Sequence, residues 1–178
     1  MNKVFANSVK MAVSILLLLT VFYFLRVSVL EPRQVRQRSM LPTLMDGDII
    51  LVSKLAYSFG EPHRGDIVVF KSPDKDEDLV KRVVGLPGDV IEDNGSTLII
   101  NGKVFEKDNI RYNFDASNYT FRNSSDEDGI ILGDNEYYVL GDNREVSRDS
   151  RAFGPIEKKL IKGQVLIIVW PLDHLSVF

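Results

Sequence analysis

Residues 97–105 read TLIINGKVF and give the plainest structural signal in the chain. The dipeptide Asn101-Gly102 supplies the two positive-φ residues that a type I′ turn requires. β-Forming residues flank this dipeptide on both sides. The stretch therefore predicts an antiparallel β-hairpin whose turn lies at Asn101-Gly102.

Short β-type segments, separated by Gly, Pro, Asn and Asp, continue on both sides of the hairpin. We predict strands at residues 48–52, 66–70, 79–84, 90–91, 97–100, 103–106, 137–140 and 164–170. No helical period is sustained over ten residues after Pro32, so this part of the chain should be mainly antiparallel β. Residues 107–134 are polar and weakly patterned, which indicates a small inserted cap.

An apolar stretch precedes the β segments. Residues 11–25 read MAVSILLLLTVFYFL, Arg26 interrupts, and the apolar pattern resumes to Leu30. Twenty residues at about 1.5 Å each reach roughly the 30 Å of a hydrocarbon core, provided that Arg26 extends to the headgroups. A cleavable signal peptide is the alternative, but no small-x-small site follows, so we predict an uncleaved anchor at 11–30 behind a tail at 1–10. Basic residues flank both ends, and the positive-inside rule taken alone leans slightly against a cytoplasmic N-terminus.

Composition excludes several classes of protein. The 178 residues fit one domain with an appendage, and 22 Lys and Arg against 25 Asp and Glu give a net charge of -3. We therefore expect no nucleic-acid partner, because no basic field is present to bind phosphates. Cysteine is absent, and the two histidines, His63 and His174, lack metal-ligand spacing, so we expect no metal site.

Two residues carry candidate chemistry. Ser39 begins the stretch SMLPTL at 39–44, and Lys81 begins the stretch KRVVGLPGD at 81–89. Desolvation at the start of an apolar strand lowers the pKa of a lysine, and a neutral amine can take the proton of a serine hydroxyl. Such Ser-Lys pairs are a known variant of the catalytic triad. Taken singly, Ser39 fits an ordinary turn and Lys81 an ordinary edge lysine.

A third segment, residues 141–151, reads GDNREVSRDSR. Asp, Asn, Arg and Ser in alternation suit a loop whose side chains bond to its own backbone, and a solvated turn is the simpler interpretation. A buried neutral lysine nevertheless needs a group that fixes its amine. The hydroxyl of Ser147 could serve that purpose.

In four segments the sequence resembles the type I signal peptidases. These are residues 39–44, residues 64–70 (RGDIVVF), residues 81–89 and residues 141–151, in the order of that family. The resemblance spans roughly residues 31–155. It implies a catalytic β domain of the signal peptidase type at 31–178, with the cap inserted and one transmembrane helix before it.

The resemblance also implies roles for individual residues. Ser39 corresponds to the nucleophile, Lys81 to its general base, and the backbone N–H of Ser39 to one donor of the oxyanion hole. Supporting positions are matched by Ser147, which would orient the lysine amine, and by two ion pairs, Arg82 with Asp142 and Arg151 with Asp149.

The sequence departs from the family at the second oxyanion donor. Many relatives have a small hydroxyl residue two positions before the nucleophile, whereas this chain has Gln37. Either the Gln37 amide donates or the second donor is absent, and the sequence leaves both open. The lead-in Glu31-Pro32-Arg33 is similar to the thylakoid branch of the family, which is a weaker likeness.

The implied function is that of a membrane-bound serine endopeptidase. It would remove signal peptides from exported preproteins by cutting after a small-x-small sequence, without a cofactor. Its partners would be signal peptides and the lipid bilayer. We expect a single-pass protein of the plasma membrane, or of the thylakoid membrane, with the catalytic domain on the extracytoplasmic or lumenal side.

Two other functions compete with this one. A self-cleaving Ser-Lys repressor has similar chemistry, but it would carry a DNA-binding helix-turn-helix where this chain has its apolar stretch. A membrane-tethered β domain that only binds partners would retain the same segments as scaffold. A large separation between Ser39 Oγ and Lys81 Nζ would favour the second alternative.

Overall fold

The structure, a computed structural model, describes residues 2–93, 97–105 and 129–178. The helices are α1 (Asn2–Val29) and α2 (Ser150–Phe153), with 3₁₀ turns at Lys158–Leu160 and Leu172–His174. The strands are β1 (Leu30–Gln34), β2 (Ile49–Ser53), β3 (Ile67–Lys71), β4 (Asp78–Gly85), β5 (Val90–Asp93), β6 (Leu98–Ile100), β7 (Lys103–Val104), β8 (Ile130–Ile131), β9 (Glu136–Leu140), β10 (Ile156–Glu157), β11 (Ile161–Trp170) and β12 (Ser176–Val177). Most of the cap predicted at 107–134 lies outside the described residues.

Over the described ranges, the strands form two antiparallel sheets. The larger sheet has the order β1-β2-β11-β3-β4-β9-β10, and β12 pairs with β11. The smaller sheet has the order β7-β6-β5-β8 and packs through Ile91 and Leu98 against Tyr138 and Leu140 of β9. The prediction of a mainly antiparallel β fold is therefore confirmed.

The hairpin predicted at 97–105 is present. Ile100 pairs with Lys103, and the turn residues Asn101 and Gly102 have φ angles of 53° and 72°. Each of the other predicted strands overlaps an observed one, although the bounds differ by one to three residues. Four strands and one helix were not predicted: β1, β8, β10, β12 and α2. The β1 strand contains Pro32, which an edge strand tolerates, and the rest are too short to show a period.

The larger sheet curls around its own apolar core. Arg33 in β1 bonds to Asp78 in β4, although β2, β11 and β3 lie between these strands in the sheet order. The buried core that the curl encloses consists of Val35, Met40, Leu44, Ile50, Val52, Ile67, Val69, Val165 and Ile168. The curl brings the loop after β1 close to β4, and these two segments carry Ser39 and Lys81.

Helix α1 ends at Val29, so Leu30, the last residue of the predicted anchor, already belongs to β1. The apolar side chains described in α1 are exposed, for example those of Leu17 and Phe22. In the part of the chain that the structure describes, no helix combines the length and the apolar character needed to cross a bilayer. The anchor at 11–30 and the boundaries drawn around it stay predictions.

Candidate active site

Ser39, on the loop that joins β1 to β2, meets Lys81 of β4. Lys81 Nζ lies 2.7 Å from Ser39 Oγ and donates a second hydrogen bond, 3.0 Å long, to the carbonyl oxygen of Val80. Both residues are buried: Ser39 is 7% exposed and Lys81 is 1% exposed. The large separation that would favour a binding domain without catalysis is therefore not found.

Burial changes the acid–base behaviour of Lys81. Desolvation lowers the pKa of its ammonium group from 10.5 to about 8, although the negative charges of Asp149 and Glu77 act in the opposite direction. A substantial fraction of the amine is thus neutral at mildly alkaline pH. In that form it can accept the proton of a hydroxyl group in hydrogen-bond contact.

Arg82, the residue after Lys81, forms a buried ion pair with Asp142. Arg82 Nε and Nη2 donate to the two carboxylate oxygens of Asp142 at 2.9 and 2.6 Å, and Nη1 donates to the carbonyl oxygen of Gly65 at 2.7 Å. Thr43 adds a hydrogen bond from its hydroxyl to Asp142 Oδ2 at 2.5 Å. This cluster ties β4 to the segment after β9 and to the loop that carries Ser39.

Asp149 and Arg151 form a second buried pair. Arg151 Nε and Nη2 donate to the two carboxylate oxygens of Asp149 at 2.8 and 2.9 Å, and Nη2 also donates to the carbonyl oxygens of Arg144 and Ser147. Asp149 caps α2 and accepts from the backbone N–H of Gly141 at 3.0 Å. The pair therefore fixes the backbone of the segment 141–149.

Ser147 is buried at 1% exposure, but the hydrogen bond expected between it and Lys81 is absent among the described residues. Its Oγ has no hydrogen-bond partner among the described residues, and the amine of Lys81 bonds to Ser39 and Val80 instead. The predicted hydrogen bond between Ser147 and Lys81 is thus not formed in this structure. A supporting role for Ser147 stays a prediction.

Two residues that the sequence interpretation missed hold the backbone of Ser39. The N–H of Asn143 donates to the carbonyl oxygen of Ser39 at 2.9 Å, and its side-chain amide donates to that of Arg38 at 3.1 Å. Gly141 packs so tightly that a Cβ there would lie 2.5 Å from the Ser39 carbonyl oxygen and closer still to Ser147 Oγ. Asn143 and Gly141, like Thr43, lie inside the motif segments named in the sequence analysis. Their contacts become visible only in the folded structure.

Two clefts adjoin at Ser39. One has a volume of about 410 Å³ and an apolar floor that includes Met40, Ile50 and Val69. The other has a volume of about 320 Å³ and is lined in part by the charged residues Lys75 and Arg148. Gln37 is exposed and lines both clefts beside Ser39, so its amide lies within the candidate site.

Comparison with known proteins places the chain in a family. Residues 8–170 match the family described as signal peptidase, peptidase S26. This chain belongs to the signal peptidase family. Signal peptidase IB of Staphylococcus aureus strain Mu50 is 37% identical over 172 residues, covering 91% of this chain and 89% of that protein. Signal peptidase I P of Bacillus subtilis subsp. natto is 36% identical over 172 residues, covering 96% and 93%.

A solved structure is also similar. The crystal structure of a signal peptidase I from Enterococcus faecalis V583 shares 32% identity with this chain, covers 58% of it and 96% of its own chain, and gives a TM-score of 0.45. The resemblance to type I signal peptidases and the prediction of an enzyme of this family are confirmed by the family match and the named relatives.

Proposed function

We propose that this chain is a serine endopeptidase that removes signal peptides from exported preproteins and uses Ser39 and Lys81 as a catalytic dyad. The observation that carries the proposal is the 2.7 Å contact between Ser39 Oγ and Lys81 Nζ in a buried setting. Family membership supports the same activity, because the relatives bear the name signal peptidase.

In the proposed acylation, Ser39 Oγ attacks the carbonyl carbon of the scissile bond while Lys81 Nζ takes the hydroxyl proton. The backbone N–H of Ser39 stabilises the oxyanion, and the amide of Gln37 is the candidate for a second donor. Lys81 then gives its proton to the leaving amine, the C–N bond breaks, and the mature protein departs. The signal peptide stays bound as an ester of Ser39.

In the proposed deacylation, neutral Lys81 takes a proton from a water molecule, which attacks the ester carbonyl. The C–O bond to Ser39 breaks and the proton returns to Ser39 Oγ. The two ion pairs would act as positioning elements, because Arg82 with Asp142 and Arg151 with Asp149 fix the segments around the dyad. Ser147, whose buried Oγ has no hydrogen-bond partner among the described residues, would orient the amine of Lys81.

We further propose that α1 holds the enzyme at a lipid bilayer, with the domain on the extracytoplasmic or lumenal side. Support comes from exposed apolar side chains at successive positions around the helix: Ile15, Leu16, Leu17, Leu18, Leu19 and Phe22. Lipid would cover such a surface at low cost. Alkaline extraction of membranes that contain the full chain tests this proposal. We expect the protein in the pellet, and full release into the supernatant would contradict membrane insertion.

The test of the activity is cleavage of a preprotein by the detergent-solubilised full chain. Ser39→Ala and Lys81→Ala should each lower the rate by about 10⁴-fold, since single members of a catalytic unit typically have effects of that size. Ser58→Ala and Lys103→Ala, at exposed positions away from the site, are the matched controls. Turnover retained in either dyad variant would refute the dyad, and no cleavage by the unaltered enzyme would refute the activity.

A further inference from the structure

An ion pair joins two loops beside the candidate active site. Arg148 Nη1 donates to Asp74 Oδ1 at 2.8 Å, and Arg148 Nη2 donates to Asp74 Oδ2, although 74 positions separate the two residues. A guanidinium that bonds to both oxygens of one carboxylate fixes orientation as well as distance. The hydrogen bonds from Arg148 lower the pKa of Asp74 to about 2, so the carboxylate is ionised at neutral pH.

The two loops leave the larger sheet at different places. Asp74 lies in the turn between β3 and β4, where the hydroxyl of Ser72 donates to Asp74 Oδ1 at 2.9 Å. Leu140, the last residue of β9, pairs with Arg82 of β4, and Arg148 lies beyond that point in the segment 141–149. Contacts between this turn and this segment therefore lie outside the β ladder, and the Arg148–Asp74 ion pair supplies one.

The same turn and segment line the smaller of the two clefts at Ser39. Lys75 and Glu77 line it from the turn between β3 and β4, whereas Val146 and Arg148 line it from the segment 141–149. Since the ion pair ties these two walls together, it sets how far apart they lie.

The amine of Lys81 lies close to this cleft. Leu79 of β4 lines the cleft and is 5% exposed. Residues two positions apart in a strand point to the same face, so Lys81 follows Leu79 on the face that borders the cleft. Lys81 is 1% exposed, and its amine contacts Ser39, which also lines the cleft. The closure of the two loops thus controls the access of water to this amine.

The separation of the loops would change the acid–base behaviour of Lys81 in a definite direction. Burial lowers the pKa of Lys81 and is the largest effect; Asp149, Glu77 and Asp142 raise this pKa, and Arg151 lowers it. If the loops moved apart, entry of water would stabilise the ammonium group, whereas departure of the carboxylates would destabilise it. Because burial is the largest effect, the net result should be a more basic amine.

We propose that Arg148 and Asp74 are positioning residues for the general base: their ion pair holds the turn between β3 and β4 against the segment 141–149 and keeps water away from the amine of Lys81. The inference rests on the proposed function, in which neutral Lys81 takes the proton of Ser39. The two residues exert this effect through the loops that they join.

The test is the pH dependence of kcat/KM for cleavage of a preprotein peptide by the full-length, detergent-solubilised enzyme. The peptide has no charged side chain near the cut, so that a changed charge in the cleft has little effect on substrate binding. The midpoint of the acidic limb reports the pKa of the base in the free enzyme. It is measured for the unaltered enzyme, for Asp74→Ala, for Arg148→Ala and for the charge-swapped pair D74R/R148D. Lys71→Ala, which removes an exposed ion pair with Asp76 of the same turn, is the matched control.

We expect the midpoint to rise by about one pH unit in both alanine variants, because water then reaches the amine. At neutral pH kcat/KM should fall about tenfold, whereas the alkaline plateau should change little. The swapped pair should return the midpoint towards that of the unaltered enzyme, since it restores opposite charges on the two loops. Lys71→Ala should leave the midpoint in place.

Urea unfolding checks that the variants are folded, which we expect because exposed ion pairs contribute little to the free energy of unfolding. Asp74→Asn and Arg148→Gln, which remove the charge but keep most of the side-chain volume, provide the same comparison if an alanine variant is unfolded.

The outcomes separate this inference from the proposed function. A midpoint that stays in place or moves to lower pH in both alanine variants overturns the positioning role and leaves the peptidase intact. A midpoint in the swapped pair equal to that of the alanine variants overturns the ion pair as the cause. Failure of the unaltered enzyme to cut the peptide overturns the proposed function, and the positioning role with it.

Discussion

His174 Nδ1 lies 2.9 Å from Oδ2 of Asp48, although 126 positions separate the two residues in the chain. Asp48 is 2% exposed, and the same oxygen accepts the backbone N–H of Met45 at 2.7 Å. The backbone of Asp48 also closes the loop between β1 and β2, because its carbonyl oxygen accepts from Val35 N–H at 2.8 Å. The C-terminal segment thus braces the loop that carries Ser39.

Removal of this brace should loosen the loop. In His174→Ala the buried carboxylate of Asp48 loses one partner, which costs about 1 kcal/mol of the free energy of unfolding. We also expect kcat for a preprotein peptide to fall more than KM changes, because Ser39 would be less well positioned. Urea unfolding and steady-state kinetics measure both effects. His63→Ala is the control, since its side chain is 84% exposed, and equal effects of the two substitutions would contradict the brace.

The pH dependence of activity should follow the ionisation of Lys81. Its pKa is lowered to about 8 by burial, so the amine is mostly protonated below that pH and cannot accept a proton. We expect kcat/KM to rise with pH up to about 8 and then level off, with a tenfold fall for each unit below. Assays between about pH 6 and 10 will show this limb, and a flat profile would exclude Lys81 as the base.

The charge of Glu77 provides a second test of the pKa of Lys81. Glu77 is one of the charges that raise the pKa of Lys81 against the effect of burial. In Glu77→Gln that charge is absent, so the acidic limb of the profile should move to lower pH. Asp76→Asn is the control, because Asp76 lies in the same loop and pairs with Lys71 instead. A limb that moves to higher pH in Glu77→Gln would contradict the electrostatic assignment.

Much of the fold follows from local sequence, whereas the candidate site depends on tertiary contacts. The hairpin at Asn101-Gly102 and most strands could be predicted, since turn chemistry and β-type composition act over a few residues. Ser39 and Lys81 could be paired only through the resemblance to a family. The roles of Asn143 and Gly141 could not be found in the same way, because they arise from approaches between segments about a hundred residues apart.

The hydroxyl of Ser147, which has no hydrogen-bond partner among the described residues, is a second feature that the sequence did not predict. The segment 141–151 predicts a hydrogen-bonded loop, and Asp149 and Arg151 do form such bonds. Gly141 packs closely against the Ser147 hydroxyl, which has no hydrogen-bond partner among the described residues. The spacing of these residues along the chain does not predict this contact. Similarly, β1 was missed because Pro32 interrupts its pattern, although an edge position makes proline acceptable.

The Arg82–Asp142 pair should matter for both stability and activity. The side chains of the two residues are 9% and 3% exposed, and removal of one partner leaves a buried charge without compensation. Asp142→Ala should lower the free energy of unfolding by about 3 to 5 kcal/mol and reduce turnover, because Thr43 loses its acceptor as well. Lys71→Ala, which removes an exposed pair with Asp76, is the control and should leave unfolding unchanged. Equal stability of Asp142→Ala and the unaltered protein in urea unfolding would contradict this assignment.

Burial of the Lys81 ammonium group should lower the free energy of unfolding, over a pH range that its folded and unfolded pKa values define. Its pKa is about 8 when folded and 10.5 in the unfolded chain. Below pH 8 both states bind the proton and the cost is complete. Between pH 8 and 10.5 the unfolded chain binds more protons, so the free energy of unfolding rises with pH, and above 10.5 the cost has gone. A shift of this size corresponds to about 3 kcal/mol.

Lys81→Met, which keeps the length of the side chain without its charge, should therefore be inactive and more stable than the unaltered protein at pH 7. Removal of the buried charge should raise the free energy of unfolding by about 3 kcal/mol, and loss of the hydrogen bonds should lower it by about 1 kcal/mol. The net gain should shrink as the pH is raised from 8 towards 10, because the folded lysine is then neutral while the unfolded chain still binds the proton. Urea unfolding at several pH values measures the difference between the two proteins and cancels the contribution of other titrating groups. A Lys81→Met protein that is less stable than the unaltered one at pH 7 would mean that the buried ammonium stabilises the fold, and the cause assigned to its lowered pKa would be wrong.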